Sequence, residues 1–245
     1  MRNSLFILVL LVAPLAAWAS GEGPKLEHSD IDLTDQASLQ RGAKYFMNYC
    51  QGCHSLQYMR YNRMAKDIGI TNAQLMENLL FGDAKAGDLM TNALRPEDGE
   101  KWFGTAIPDL TLATRWREPD WVYTYLKSFY VDDSRPYGVN NLVFPDVGMP
   151  HALAELQGVQ EAVYEHGEGE GAAAEHISEL ELVSPGTLTP EEYDNMVRDI
   201  TNFLTYVGEP IKLERRRIGV YVLLFLGLMF YLTYNLKKEY WKDVH

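Results

Sequence analysis

Cysteine is scarce. The 245-residue chain has two, Cys50 and Cys53, and this rules out a zinc site built of cysteines, which needs about four ligands. A mixed zinc site would have to recruit histidine, but apart from His54 the histidines are scattered along the chain. Positive charge is also short. Against 34 Asp and Glu there are 22 Lys and Arg, for a formal net charge of -12. Such a balance excludes nucleic acid as a natural partner and leaves plain solubility or a basic protein partner. No internal repeat is visible, and no alternating strand pattern precedes the cysteines. The second absence counts against a thioredoxin-like dithiol, whose Cys-x-x-Cys follows a strand and opens a helix.

Two long apolar runs are present, one near each end. At the N-terminus Arg2 precedes "LFILVLLVAPLAAWA", and Ala17-Trp18-Ala19 has the small-residue pattern of a cleavage site. A first membrane helix would be longer and would not carry Pro14, so residues 1–19 read as a signal peptide and the mature chain is expected to start near Ser20. At the C-terminus "IGVYVLLFLGLMFYLTYNL", residues 218–236, carries no charge. At about 1.5 Å per residue it spans roughly 28 Å, the thickness of a bilayer core. Arg215, Arg216 and Arg217 precede it, and Lys237, Lys238, Trp241 and Lys242 follow as interfacial anchors. Basic residues on both sides leave the orientation to the signal peptide. It predicts an exported, periplasmic body over 20–211, an anchor within 212–245 and a short cytoplasmic tail, in a bacterial inner membrane.

The body reads as mainly α with long loops. A helix is expected from a Thr34 or Asp35 cap toward Tyr49, and another from a Thr71 or Asn72 cap to Gly82. Asp120 is expected to cap a helix over 120–130. Residues 82–119 and 131–150, punctuated by Gly and Pro, read as loops. The Glu-, Gly- and Ala-rich stretch 155–181 reads as a mobile acidic insertion. Thr189-Pro190-Glu191-Glu192 combines a cap, a first-position proline and a capping-box glutamate. Tyr193, Met196, Val197, Ile200, Phe203, Leu204 and Val207 follow at helical spacing up to Gly208. Loops this long in one domain need something to pack against.

Cys50-Gln51-Gly52-Cys53-His54 supplies the candidate. Cys-x-x-Cys-His is the pattern for covalent attachment of a c-type haem. One turn of chain sets two sulfurs along one porphyrin edge, and the next residue, His54, lies under the iron. The porphyrin then fills the space between the loops. A sixth ligand has to come from far along the chain. Met47, Met59 and Met64 lie too near the attachment site, while Met76 and Met90 remain open. Met149, in the Pro- and Gly-rich "FPDVGMPH", is the preferred ligand, with His151 as its rival. His/Met ligation fills both axial positions and favours electron transfer over oxygen chemistry.

Together, "RGAKYFMNYCQGCHSLQYMRYNR", "IPDLTLATRWR", "FPDVGMPH" and "TNFLTYVGEP" running into "RRRIGVYVLLF" resemble the cytochrome c1 family, the haem subunits of quinol:cytochrome c oxidoreductase, the cytochrome bc1 complex. The resemblance covers nearly the whole mature chain. It implies a class I cytochrome c fold in which Gly42 and Phe46 of the first helix meet Phe203 and Leu204 of the last. It implies one haem c, with Pro108 against it on the His54 side and Arg117, or Arg115, at a propionate. It also implies a cytochrome b subunit and a Rieske iron–sulfur protein as partners, and a soluble, basic cytochrome c as electron acceptor. Such a chain does no bond-making alone. Two other classes stay open: an anchored cytochrome c subunit of a terminal oxidase, and a haem peroxidase with an open sixth site.

Overall fold

A computed structural model describes residues 25–165 and 176–243. The expected signal peptide lies outside the described residues, as does the middle of the acidic stretch.

Five of the helices begin where the sequence offers a cap or a proline. Asp35 accepts the Ser38 amide and starts α1, Gln36–Tyr45. The helix then widens into one π-helical turn, Phe46–Cys50, an irregularity that recurs at functional positions. Strand β1, Leu56–Arg60, runs straight into α2, Tyr61–Asp67. A reciprocal capping box between Thr71 and Gln74 opens α3, Asn72–Asn78. Strand β2, Leu89–Met90, pairs antiparallel with β1. Helix α4, Pro96–Phe103, starts on its proline and stops at Gly104, whose φ of 74° is left-handed. The short α5, Ala113–Trp116, precedes α6, Pro119–Lys127. Strands β3, Phe129–Val131, and β4, Val139–Asn141, form an antiparallel ribbon. After α7, Ala154–Gln157, come β5, Gly158–Glu165, and β6, His176–Pro185, also antiparallel. The expected capping box, Thr189 with Glu192, opens α8, Pro190–Gly208. The last helix is α9, Lys212–Tyr240.

The core forms where α1 crosses α8. Phe46 and Phe203 are fully buried with ring centroids 5.8 Å apart. Arg41 closes the crossing with a two-pronged bond to Asp199, at 2.6 and 2.9 Å. All seven residues of the predicted stripe on α8 are buried. The other flanks of α8 meet α5 and α6: Thr114 donates to the Leu204 carbonyl at 3.2 Å and Tyr193 to the Leu126 carbonyl at 2.7 Å. These bonds matter because a buried hydroxyl left unpaired costs about 1–3 kcal/mol.

Three loop expectations are corrected. The stretch 155–181 contributes the end of α7 and the β5–β6 hairpin. Gln160 ties that hairpin to the body by donating to the carbonyls of Lys127 and Phe129 at 2.9 and 2.8 Å. Residues 131–150 include the turn and second strand of the β3–β4 ribbon. Residues 82–119 hold β2, α4 and α5. The helix expected over 120–130 starts one residue earlier and yields to β3 at Phe129.

Helix α9 contains the apolar run 218–236 and buries none of its residues. Its mean hydropathy over the most apolar stretch is 1.7. The helix is long and apolar enough to cross a membrane.

Candidate haem site

The π-helical turn delivers Cys50 to the start of a tight return. The Cys50 carbonyl accepts both the Cys53 amide at 3.0 Å and the His54 amide at 2.8 Å. As a result Cys50, Cys53 and His54 line one cleft. Met149 lines the same cleft from 95 residues further along the chain. Most of the remaining wall is apolar, including Phe103, Ile107, Pro108, Pro150 and Ala152.

No disulfide joins Cys50 to Cys53. Burial pushes the Cys50 thiol up to about 12, and the neighbouring Cys53 adds to the rise. A redox thiol is one lowered toward neutrality, so Cys50 is not an activated nucleophile.

His54 is oriented by its Nδ1, which lies 2.8 Å from the Pro108 carbonyl. A carbonyl only accepts, so Nδ1 carries the proton and Nε2 is left as the free donor atom for a metal. Burial lowers the His54 pKa, partly offset by this hydrogen bond, and keeps the imidazole neutral. Asp109 fixes the Pro108 segment: its carboxylate accepts the Gln57 amide at 2.8 Å and the Thr111 amide at 2.9 Å. The Leu110 amide adds a bond to the Ser55 carbonyl at 3.0 Å. The Pro-Asp-Leu motif is thus a brace between the attachment turn and the carbonyl that holds His54.

The loop carrying Met149 is shaped by two asparagines. Asn141 accepts the amides of Val143 and Phe144 at 3.0 and 3.1 Å, and Asn140 accepts the Asp146 amide at 2.9 Å. Asp146 itself is left-handed, with φ 62°. Met149 Sδ accepts a hydrogen bond from the Tyr125 hydroxyl at 3.3 Å. Sequence reasoning missed Asp109, Asn140, Asn141 and Tyr125. The asparagine pair beside a Pro- and Gly-rich loop was the one local signal.

The rival ligands stand elsewhere. The His151 ring stacks on Phe129 at 4.7 Å, and burial lowers its pKa to about 4. Met76 is exposed on α3, and Met90 is fully buried in β2. None of the three lines the cleft. Arg117 does not line it either. Its guanidinium lies over Trp116 at 4.0 Å and over Trp121 at 4.7 Å. Trp121, in turn, stacks on Tyr125 at 5.0 Å.

The residues fit a haem. Two unbridged cysteines, an imidazole whose Nδ1 is already hydrogen-bonded, and a thioether share one apolar cleft. Fold and site together define a c-type haem domain joined to a membrane helix. A sequence model of the cytochrome c1 family matches residues 28–80 and 77–244, and the chain belongs to that family. It is 67% identical to a cytochrome c1 of Allochromatium vinosum over 245 residues, the whole of both chains. It is 47% identical to a protein of Nitrosomonas europaea named ammonia monooxygenase gamma subunit, over 246 residues and again the whole of both. Against the mitochondrial cytochrome c1 haem protein of Saccharomyces cerevisiae the identity is 25% over 260 residues, covering 96% of this chain and 74% of the relative. Cytochromes c1 carry one covalently bound haem c and serve as electron-transfer components of the bc1 complex.

Proposed function

We propose that this chain takes single electrons from a Rieske iron–sulfur protein and passes them to a soluble, basic cytochrome c, inside a quinol:cytochrome c oxidoreductase with a cytochrome b subunit. The haem domain, up to residue 211, faces the periplasm, and 212–245 anchors it in the inner membrane. The haem supplies the one-electron couple. Cys50 and Cys53 would hold it by thioethers, and His54 Nε2 and Met149 Sδ would ligate its iron. The Pro108 carbonyl keeps the His54 proton on Nδ1, so the imidazole is oriented before any metal arrives. The apolar wall excludes water. Arg117, or Arg115, is the partner for a propionate that reaches out of the cleft; Trp116 and Trp121 hold the Arg117 guanidinium by its face.

The observation that carries this reading is the convergence of His54, braced by Pro108, and Met149 on the cleft that also holds both cysteines. Haem should stay with the chain on a denaturing gel, because thioethers survive unfolding. Cys53→Ala should leave a single thioether and little stable holoprotein. Haem released from the wild type under those conditions rejects the reading. Carbon monoxide should not bind the reduced wild type, whereas a peroxidase with an open sixth site would take it up.

One second reading has an observation of its own. The 47% relative is named as a monooxygenase subunit, so the same domain would deliver electrons to a monooxygenase. Purification in mild detergent separates the two readings: a cytochrome b and a Rieske protein as companions support the first.

A further inference from the structure

We propose that Tyr125 is a positioning residue for the Met149 sulfur, and that its hydroxyl raises the reduction potential of the haem by hydrogen bonding to that sulfur. The inference rests on the reading of Met149 as an axial ligand.

A comparison among tyrosines motivates it. Tyr193 donates to the Leu126 carbonyl at 2.7 Å and Tyr206 to an Asp67 oxygen at 2.9 Å. Tyr123 donates to Asp194. Each has a strong oxygen acceptor, as a buried phenol normally requires. Tyr125 instead donates to a thioether, at 3.3 Å. Thioether sulfur is a weak acceptor, so this pairing is a poor choice for stability alone.

The hydroxyl is also held in place. The Tyr125 ring lies stacked against Trp121 at 5.0 Å and edge-on to Phe129 at 5.2 Å. Its carbonyl accepts from Asn141 Nδ2 at 2.8 Å. Asn141 also organises the loop that carries Met149, through the amides of Val143 and Phe144. Tyr125 therefore grips that loop at two points, once by its carbonyl and once by its hydroxyl.

The electronic consequence follows from the sulfur's two lone pairs. One accepts the phenolic proton, which leaves a single pair to donate elsewhere and fixes the direction in which it points. The proton draws electron density from the sulfur and makes it a weaker donor. Oxidised iron needs that donation more than reduced iron does, so the reduced state is favoured. Hydrogen bonding at a ligand is an established lever on haem potential.

The test uses the full-length, haem-loaded protein in detergent. Tyr125→Phe removes the hydroxyl and keeps the ring. At a fixed ambient potential the ratio of oxidised to reduced haem should rise about threefold, or ~28 mV at ~59 mV per tenfold for one electron. The weak sulfur-to-iron band near the red end of the spectrum should also shift. Tyr193→Phe removes another buried phenol away from the cleft; it should cost stability and leave the potential alone. Met149→Leu separates the two claims. If it abolishes the band while Tyr125→Phe leaves band and potential at wild-type values, this inference fails and the ligand reading stands. If Met149→Leu keeps the band, both fail. Should Tyr125→Phe not fold, the wild type decides. Its reduced form should show a slowly exchanging tyrosine hydroxyl proton with a nuclear Overhauser contact to the Met149 methyl. Absence of that contact overturns the proposal.

Discussion

Gly42 and Asp199 touch backbone to backbone: a Cβ on Gly42 would stand 2.1 Å from the Asp199 carbonyl oxygen and 2.7 Å from Phe203 Cβ. The crossing of α1 and α8 is as close as it is because position 42 has no side chain. Neither neighbour is the free end of a flexible group, so a methyl there must push the helices apart. Overpacking typically costs about 1–3 kcal/mol, and alanine's better helix propensity returns only about 1 kcal/mol. Gly42→Ala should therefore lower stability by up to about 2 kcal/mol, read as a drop in the thermal midpoint of the holoprotein. Gly87→Ala, where the added carbon meets nothing within 4 Å, should be neutral. Equal stability of the two variants would refute the close crossing.

Helix α9 adds nothing to the core. It buries none of its residues, and an ion pair of the exposed Arg215 with the largely buried Glu209 at 2.8 Å helps join it to the end of α8. A chain ending at Gly208 should keep its haem, fold with an unchanged thermal midpoint and remain in the soluble fraction. It should assemble poorly with its membrane partners. Tight retention by membranes after a high-salt wash would point to a second hydrophobic contact on the body.

What the sequence made legible was local. The α8 stripe and its capping box are read from neighbours three and four positions apart, and the attachment motif lies within five residues. The carbonyl that orients His54 belongs to Pro108, 54 positions away, and the resemblance alone drew attention to it. The hydrogen bond between Tyr125 and Met149 spans 24 positions and leaves no periodic trace. The β5–β6 hairpin was hidden differently. Residues 177–183, Ile-Ser-Glu-Leu-Glu-Leu-Val, largely alternate apolar and polar as a strand should, but the acidic composition around them argued for disorder. Long-range bonds from Gln160 to Lys127 and Phe129 decided for the strand.

That hairpin also bears on how an electron acceptor is recruited. In its register Glu161 stands directly opposite Glu181. Like charges facing each other across a ladder destabilise it, and a cationic partner would relieve them. The whole chain adds a net charge of -12, enough to steer a basic protein toward it. Exposed charges are screened over about 8 Å at physiological ionic strength, so the effect belongs to the association rate. Electron transfer to a basic cytochrome c should slow steeply as salt rises, measured by stopped-flow oxidation of the reduced protein. Changing Glu161 and Glu181 together to Gln should make that dependence modestly shallower and leave the haem spectrum unchanged. A rate indifferent to salt would remove steering altogether. A wild-type salt slope in the double variant would instead place the docking acids elsewhere on the surface, with Glu118 and Asp120 beside Arg117 the next pair to neutralise.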